Sequence, residues 1–335
     1  MFKQTAILLG VTGQSLAAEL NFLVMGDWGG IPDFPFTTEE EVATAAGMNL
    51  VASQVNARYS LAIGDNFYES GIANLTDSRF NTSFEEVFTG DNLKSTNFFR
   101  VLAGNHDHYG NVSAQILYTD VNDRWSFPDY YYDFVESYGG EDDTQFKLHT
   151  IMLDTVLLAG ESALADGTPL KGSEYVNVDK KVQEKQLAWL EATLAASEGD
   201  VIIVAGHYPV WSICEHGPTD FMVAEVAPLL EKYNVQAFLA GHDHCAELIV
   251  DGGVQYHGIG SAHKNDASTA HKDSIPADSL KFHSGEDEAG GFARIRLSGE
   301  TGAVLVEHYD GFGSLKFTGD EMGIRGIGAT TEASV

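Results

Sequence analysis

Hydrophobic residues fall in short runs along this chain, and the runs stop at a glycine followed by an acid, an amide or a histidine. Leu20-Asn21-Phe22-Leu23-Val24-Met25 ends in Gly26-Asp27-Trp28-Gly29-Gly30, Tyr59 to Ile63 in Gly64-Asp65, and Phe98 to Leu102 in Ala103-Gly104-Asn105-His106-Asp107. Val201 to Ala205 runs into Gly206-His207, and Val235 to Ala240 into Gly241-His242-Asp243-His244. Apolar runs of this length, closed by turn residues, predict buried strands that end in loops. Thr37 or Thr38, followed by Glu39-Glu40-Glu41 and an Ala/Val/Met/Leu pattern to about Asn56, predicts a capped helix. Helical patterns at Val182 to Ala196 and Phe221 to Lys232 precede the last two strands.

In α/β sheets, ligands gather beyond the carboxyl ends of the strands, so these loops can converge on one site although they are spread over much of the chain. The expected fold is α/β: a two-sheet β-sandwich flanked by α-helices, with the active site at the C-terminal ends of strands. Apolar segments near Gln255-Ile259, Gly291-Leu297 and Ala303-Tyr309 read as an antiparallel meander. A polar stretch carrying Gly and Asp, from about Ala159 to Lys180, reads as a surface loop.

Composition narrows the function classes. Across 335 residues, 44% hydrophobic content supplies a sizeable core, while 19 Lys+Arg against 49 Asp+Glu give a formal charge of -30. That charge repels nucleic acid and anionic membrane surfaces, so neither is an expected partner, and any anion must be attracted by something other than surface lysines. Metal ions are the obvious agent. Met1-Phe2-Lys3, the apolar Ala6-Ile7-Leu8-Leu9-Gly10-Val11 and the small pair Ala17-Ala18 outline a secretory signal over 1–18, the other reading being a frayed tail. Residues 19–335 then form one catalytic domain, secreted or lysosomal/vesicular, with a monomer as the expected state. Asn74-Leu75-Thr76, Asn81-Thr82-Ser83 and Asn111-Val112-Ser113 fit the N-glycosylation pattern.

The loops carry Asp27, Asp65, Tyr68, Asn105, His106, His207, His242 and His244. Any one alone would be an ordinary turn acid or surface histidine. Together they form a mixed O/N donor set without thiolate, suited to iron, zinc or manganese. With a carboxylate placed to bridge, it can hold two metals about 3.5 to 4 Å apart.

Gly26-Asp27-Trp28-Gly29, Gly64-Asp65-Asn66-Phe67-Tyr68, Gly104-Asn105-His106-Asp107, Val204-Ala205-Gly206-His207 and Gly241-His242-Asp243-His244 resemble, in order, the signature blocks of the purple acid phosphatases within the calcineurin-like metallophosphoesterases. Val204 to Ile213 and Glu215-His216-Gly217-Pro218-Thr219 are similar to the small, animal, tartrate-resistant branch in particular. The resemblance implies a ferric site of Asp27, Tyr68 and His244. Asp65 would bridge to a divalent site of Asn105, His207 and His242, holding Fe2+, Zn2+ or Mn2+. It further implies a purple tyrosinate-to-iron band from Tyr68, and substrate-contacting imidazoles at His106 and His216. Gly29 stands where the wider superfamily carries a histidine, which favours the tyrosinate-iron branch.

The implied activity is hydrolysis of phosphate monoesters, on small molecules or phosphoproteins, by attack of a metal-bound water or hydroxide. Fe3+ and M2+, set against two aspartates and one tyrosinate, leave roughly +2 to meet a phosphate dianion. His106 and His216 can be charged at about pH 5 to 6. Alternatives are a di-metal phosphodiesterase or pyrophosphatase, and an iron-dependent redox protein generating reactive oxygen. His108, His257 and His263 are read as structural or solvent-facing.

The chain departs from the family in its cysteines. The family's disulfide positions correspond to Ala159 and Phe221, while Cys214 and Cys245 lie beside His216 and His244. These two can pair across the mouth of the site or remain free thiols. The Ala159–Lys180 stretch matches in position a family loop that can repress activity.

Overall fold

The computed structural model describes residues 19–139, 145–160, 179–284 and 290–326. The expected signal at 1–18 and residues 161–178 of the polar stretch lie outside the described residues. In chain order, β1 (Leu20–Met25), α1 (Glu39–Val55), β2 (Ser60–Ile63), β3 (Phe99–Leu102), α2 (Asn105–His108), α3 (Val112–Leu117) and β4 (Trp125–Ser126) come first. Then follow β5 (Tyr132–Gly139), β6 (Gln145–Met152), α4 (Thr155–Ala159), α5 (Lys180–Ala196), β7 (Val201–Ala205), α6 (Ala227–Lys232) and β8 (Ala237–Ala240). The remaining strands are β9 (Ala246–Asp251), β10 (Val254–Ile259), β11 (Leu280–His283), β12 (Gly291–Leu297), β13 (Val304–Asp310) and β14 (Leu315–Thr318).

Among the described residues these strands form two seven-stranded sheets, ordered β14-β13-β12-β1-β2-β3-β4 and β11-β9-β10-β8-β7-β6-β5. Within the first, β1, β2, β3 and β4 run parallel, and within the second β6, β7, β8 and β10 do. The loops after β1, β2, β3, β7 and β8 therefore leave from carboxyl ends, as expected of a sandwich with its site at that rim. Gln255–Ile259 departs from the meander reading. As β10 it pairs parallel with β8 and antiparallel with β9, while the meander proper is β12-β13-β14.

The unbroken apolar runs follow from burial on both faces. Phe22 and Val24 of β1 point between the sheets with Leu61, Ile63, Ile203, Ala205, Leu239 and Ile295. Leu23 and Met25 point outward beneath α1, against Met48 and Val51. Ile202, Val204 and Phe238 pack outward against Leu190 and Leu194 of α5. Each such side chain stabilises the fold by about 1.5–3 kcal/mol relative to exposure, which fixes where every strand ends. Thr38 caps α1, its Oγ1 accepting the Glu41 amide at 3.0 Å, and Asn56 closes it in the left-handed region at φ 52°. The Phe221–Lys232 helix begins as a wide π turn at Met222–Val226 before α6.

Candidate metal centre

The loops after β1, β2 and β8 turn sharply, and the turning residues are themselves donors. Asp27, Asp65, His242 and His244 all hold positive φ, at 53°, 50°, 72° and 56°. Non-glycine residues rarely adopt this region, and each costs of order 1–3 kcal/mol where the surrounding structure enforces it. Four such residues meeting at one rim mark a site that sacrifices local stability for donor placement. Two glycines make the approach possible: a Cβ on Gly241 would lie 2.5 Å from Asp27 Oδ2, and one on Gly104 would overlap Asp65 Oδ1.

The structure brings all nine expected site residues together. Tyr68 Oη is 3.2 Å from Asp27 Oδ1 and 2.9 Å from His244 Nε2, and His244 Nε2 is 3.4 Å from Asp27 Oδ1. On the other side His207 Nε2 is 3.1 Å from Asn105 Oδ1 and 3.3 Å from Asp65 Oδ2. Two donor clusters result, Asp27-Asp65-His244 and Asp65-His207-His242, with the donor atoms of each within 4.8 Å of one another and Asp65 common to both. His106 Nε2 stands 4.0 Å from Asp65 Oδ2, and the His216 ring stacks on His242 at 4.3 Å.

Hydrogen bonds fix the donor faces. His207 Nδ1 lies 3.0 Å from the Ile63 carbonyl, which assigns a proton to Nδ1 and makes Nε2 the nitrogen turned to Asn105 and Asp65. The His242 amide donates to both Asp27 oxygens at 3.0 Å, joining loops separated by 215 positions. His106 Nδ1 lies 2.6 Å from the Glu69 carbonyl, so its Nε2 is the nitrogen turned to the site.

Burial without a counter-charge makes this cluster costly. It opposes ionisation of Asp65, yet the imidazoles of His207, His106 and His242 outweigh it and hold that carboxyl well below the usual carboxylate range. Burial likewise opposes charge on His207, but Asp65 and Asp27 push it up to about 9. His242 is held well below the usual imidazole range by burial and by the neighbouring His216 and His207. Burial, with Asp27 and Asp65 beside it, pushes the Tyr68 phenol far up, so only a strong cation can displace that proton. Two buried carboxylates, a buried phenol, an amide oxygen and converging imidazoles are a donor set that fits a pair of metal ions.

Further residues, outside the donor set read from the sequence, brace the donors. Asp107 accepts the amides of Asn66 and Gly104 and the Gln115 side chain at 2.8 Å, bracing the loops after β2 and β3. Thr155 Oγ1 accepts the amides of His207 and Tyr208. His263, expected to be structural or solvent-facing, lies at the site with its ring 4.8 Å from Tyr68, because its amide donates to the Asp27 carbonyl at 2.8 Å. His108 pairs with Asp154 at 2.8 Å, and His257 with His308 at 3.0 Å, both as internal contacts. Cys214 and Cys245 form a disulfide with Cα atoms 6.6 Å apart, which decides between pairing and free thiols.

The sequence profile of the calcineurin-like phosphoesterases matches residues 20–246. The chain is 41% identical over 295 residues to tartrate-resistant acid phosphatase type 5 of Homo sapiens, covering 88% of each chain. It is 26% identical over 312 residues to purple acid phosphatase 17 of Arabidopsis thaliana, covering 88% of this chain and 82% of that one. Among solved structures it is similar in fold to GAP50, described as the anchor in the inner membrane complex of Plasmodium, with a TM-score of 0.76 at 22% identity, over 92% and 90% of the two chains. These relationships favour neither the phosphodiesterase nor the redox alternative. With a donor set built for two metals and this degree of relatedness, the chain belongs to the calcineurin-like phosphoesterases, in the tartrate-resistant branch of the purple acid phosphatases, and is a dimetal acid phosphatase.

Proposed function

We propose that Asp27, Tyr68 and His244 hold a ferric ion, that Asn105, His207 and His242 hold a divalent ion (iron, zinc or manganese), and that Asp65 bridges them. The observation carrying this reading is the sharing of Asp65 between the two donor clusters, with the Tyr68 phenol against the Asp27–His244 side. The ions, when bound, supply the positive charge that neutralises the phosphoryl group and acidifies water. That charge acts at short range, where salt does not screen it, and so overcomes the -30 of the chain.

The protein's own groups do the rest. His106 and His216 present imidazoles on either side of the donor clusters, where they orient a phosphate monoester and supply a proton to the departing alcohol. His106 is fixed for this by its Nδ1 contact to Glu69, and His216 by its stacking on His242. Substrates of this reading are phosphate monoesters, on small molecules or phosphoproteins.

Residues 19–335 act as one catalytic domain and as a monomer in this proposal. Export to a secreted or lysosomal destination is supported by the N-terminal signal pattern, and glycosylation by the exposure of Asn74, Asn81 and Asn111. No helix among the described residues is long and apolar enough to cross a membrane. Metal analysis of wild type and Asp65→Asn, with turnover of an aryl monoester beside the matching diester, tests the assignment. Iron plus one divalent ion per chain, both depleted in the variant, and monoester preference are expected. Two ions retained in Asp65→Asn, or diester preference, would contradict it.

A further inference from the structure

His216 lies on the segment after β7, and its placement is set largely by the loop that carries His242 and His244. Asp243, between those two histidines and only 4% exposed, turns its carboxylate away from the donor clusters and toward this segment. Its Oδ1 accepts the His216 amide at 2.6 Å and its Oδ2 the Gly217 amide at 3.1 Å. Two adjacent amides bonded to one carboxylate fix both position and direction of the chain there.

Further ties act on the same segment from the same side. The Cys214–Cys245 disulfide joins the residue two before His216 to the residue after His244. Glu247 Oε2 accepts the Ile213 amide at 3.2 Å. His271 closes the outer side, Nδ1 being 2.7 Å from the Cys214 carbonyl, and its ring occupies the space a Cβ on Gly217 would need, at 2.5 Å. Gly217 holds φ 72°, so the chain bends away immediately after His216. Among the described residues the imidazole has Nδ1 buried without a hydrogen-bond partner, and its ring stacks on His242. Its direction is inherited from the backbone.

We propose that Asp243 is a positioning residue for His216, with the Cys214–Cys245 disulfide as its covalent counterpart. The substrate-facing imidazole is then tied to the one turn of chain that carries two metal-ligand histidines. Neither group touches substrate, and the claim rests on the reading of His216 as a substrate contact. The disulfide and the carboxylate make the same tie, and the two are partly redundant.

Two measurements on the metal-loaded protein separate placement from role. Hydrogen exchange over residues 212–218 reads placement directly: Asp243→Asn, with one strong acceptor oxygen instead of two, exchanges faster at His216 and Gly217 than wild type. Unchanged protection there overturns the proposal whatever His216 does. Kinetics read the role: Asp243→Asn lowers kcat/KM roughly tenfold, the size expected for a lost charge-assisted hydrogen bond, with metal content and visible band intact. Added to His216→Ala it causes no further loss, because it acts only through that ring. An additive loss, or loss of metal from Asp243→Asn, shows that Asp243 supports the metal ligands instead and refutes the inference. A His216→Ala protein with full turnover refutes the reading of His216 while the exchange result still stands. Should Asp243→Asn not fold, Cys214→Ala/Cys245→Ala takes its place in the same cycle, with a smaller expected loss.

Discussion

Arg79 donates to the carbonyl of Tyr68 at 2.6 Å and, through its other terminal nitrogen, to the carbonyl of Gly29. One buried guanidinium thus ties the loop after β1, which carries Asp27, to the loop after β2, which carries Asp65 and Tyr68. Its Nε donates to Ser83 at 2.8 Å, completing a set of partners that leaves little freedom. Arg79→Ala strands the buried Tyr68 carbonyl and leaves that of Gly29 with the Tyr68 amide alone. It should cost about 3 kcal/mol of stability by urea unfolding and shift the visible absorption of the loaded enzyme, since Tyr68 loses one of its two backbone ties. Unchanged absorption would show that the Arg79 tie does not set the phenol.

Gly104 leaves room that no other residue can. A methyl group there would overlap Asp65 Oδ1 and approach His207 Cε1 to 2.8 Å. Gly104→Ala should therefore displace the bridging carboxylate, lowering kcat by about a hundredfold and reducing bound metal, while far-ultraviolet dichroism stays native. Activity retained within a few fold would mean that the β3 loop yields freely.

Acid stability should depend on the His257–His308 pair, which joins β10 of one sheet to β13 of the other. Burial pushes His308 down to about 4 and, with His308 beside it, holds His257 well below the usual range. Gln255 Oε1 faces His257 at 3.1 Å and the Phe282 ring packs on His308. The unfolded chain takes up these protons first. The pair's stability is thus fully present above about pH 6.5 and is lost as pH falls toward 4, by roughly 3 kcal/mol for His308. Urea unfolding at pH 7 and 4.5 should show a larger drop in wild type than in His308→Gln. Equal drops would remove the pair from the acid response.

Glu247 acts in the opposite direction. Burial, with Asp243 adding repulsion, pushes its carboxyl up to about 8. A folded-state value above the unfolded one means that the native state holds the extra proton. That stability is present below about pH 4.5 and is lost as pH rises through 8. Glu247→Gln should flatten the decline between about pH 4.5 and 8, read by thermal unfolding across that range. A decline as steep as in wild type would place its cause elsewhere.

Much of this architecture could be read from the chain because strand, turn and donor are contiguous. An apolar run such as Val201–Ala205 followed by Gly206-His207 announces both the strand and what it delivers. The β5–β6 hairpin leaves little trace in the sequence because Tyr132–Gly139 alternates exposed and half-buried positions with charges among them, as edge strands do. The parallel partner of β10 is not encoded locally, because local pattern carries no strand order. The roles of Asp107, Arg79 and Asp243 were hidden for a related reason: each acts on a backbone group brought near by the fold, and no spacing in sequence encodes that. The pairing of Cys214 with Cys245 stayed open on the same ground.

The most direct test of the account is the visible spectrum of the purified, metal-loaded protein beside Tyr68→Phe, together with hydrolysis of an aryl phosphate at about pH 5 to 6. Tyr68 Oη lies 2.9 Å from His244 Nε2 and 3.2 Å from Asp27 Oδ1, so it is the phenol within reach of that cluster. A purple band in wild type that is absent from Tyr68→Phe, with iron bound and phosphate released, is the predicted result. A colourless, active wild type holding two zinc or manganese ions would contradict the ferric-tyrosinate centre.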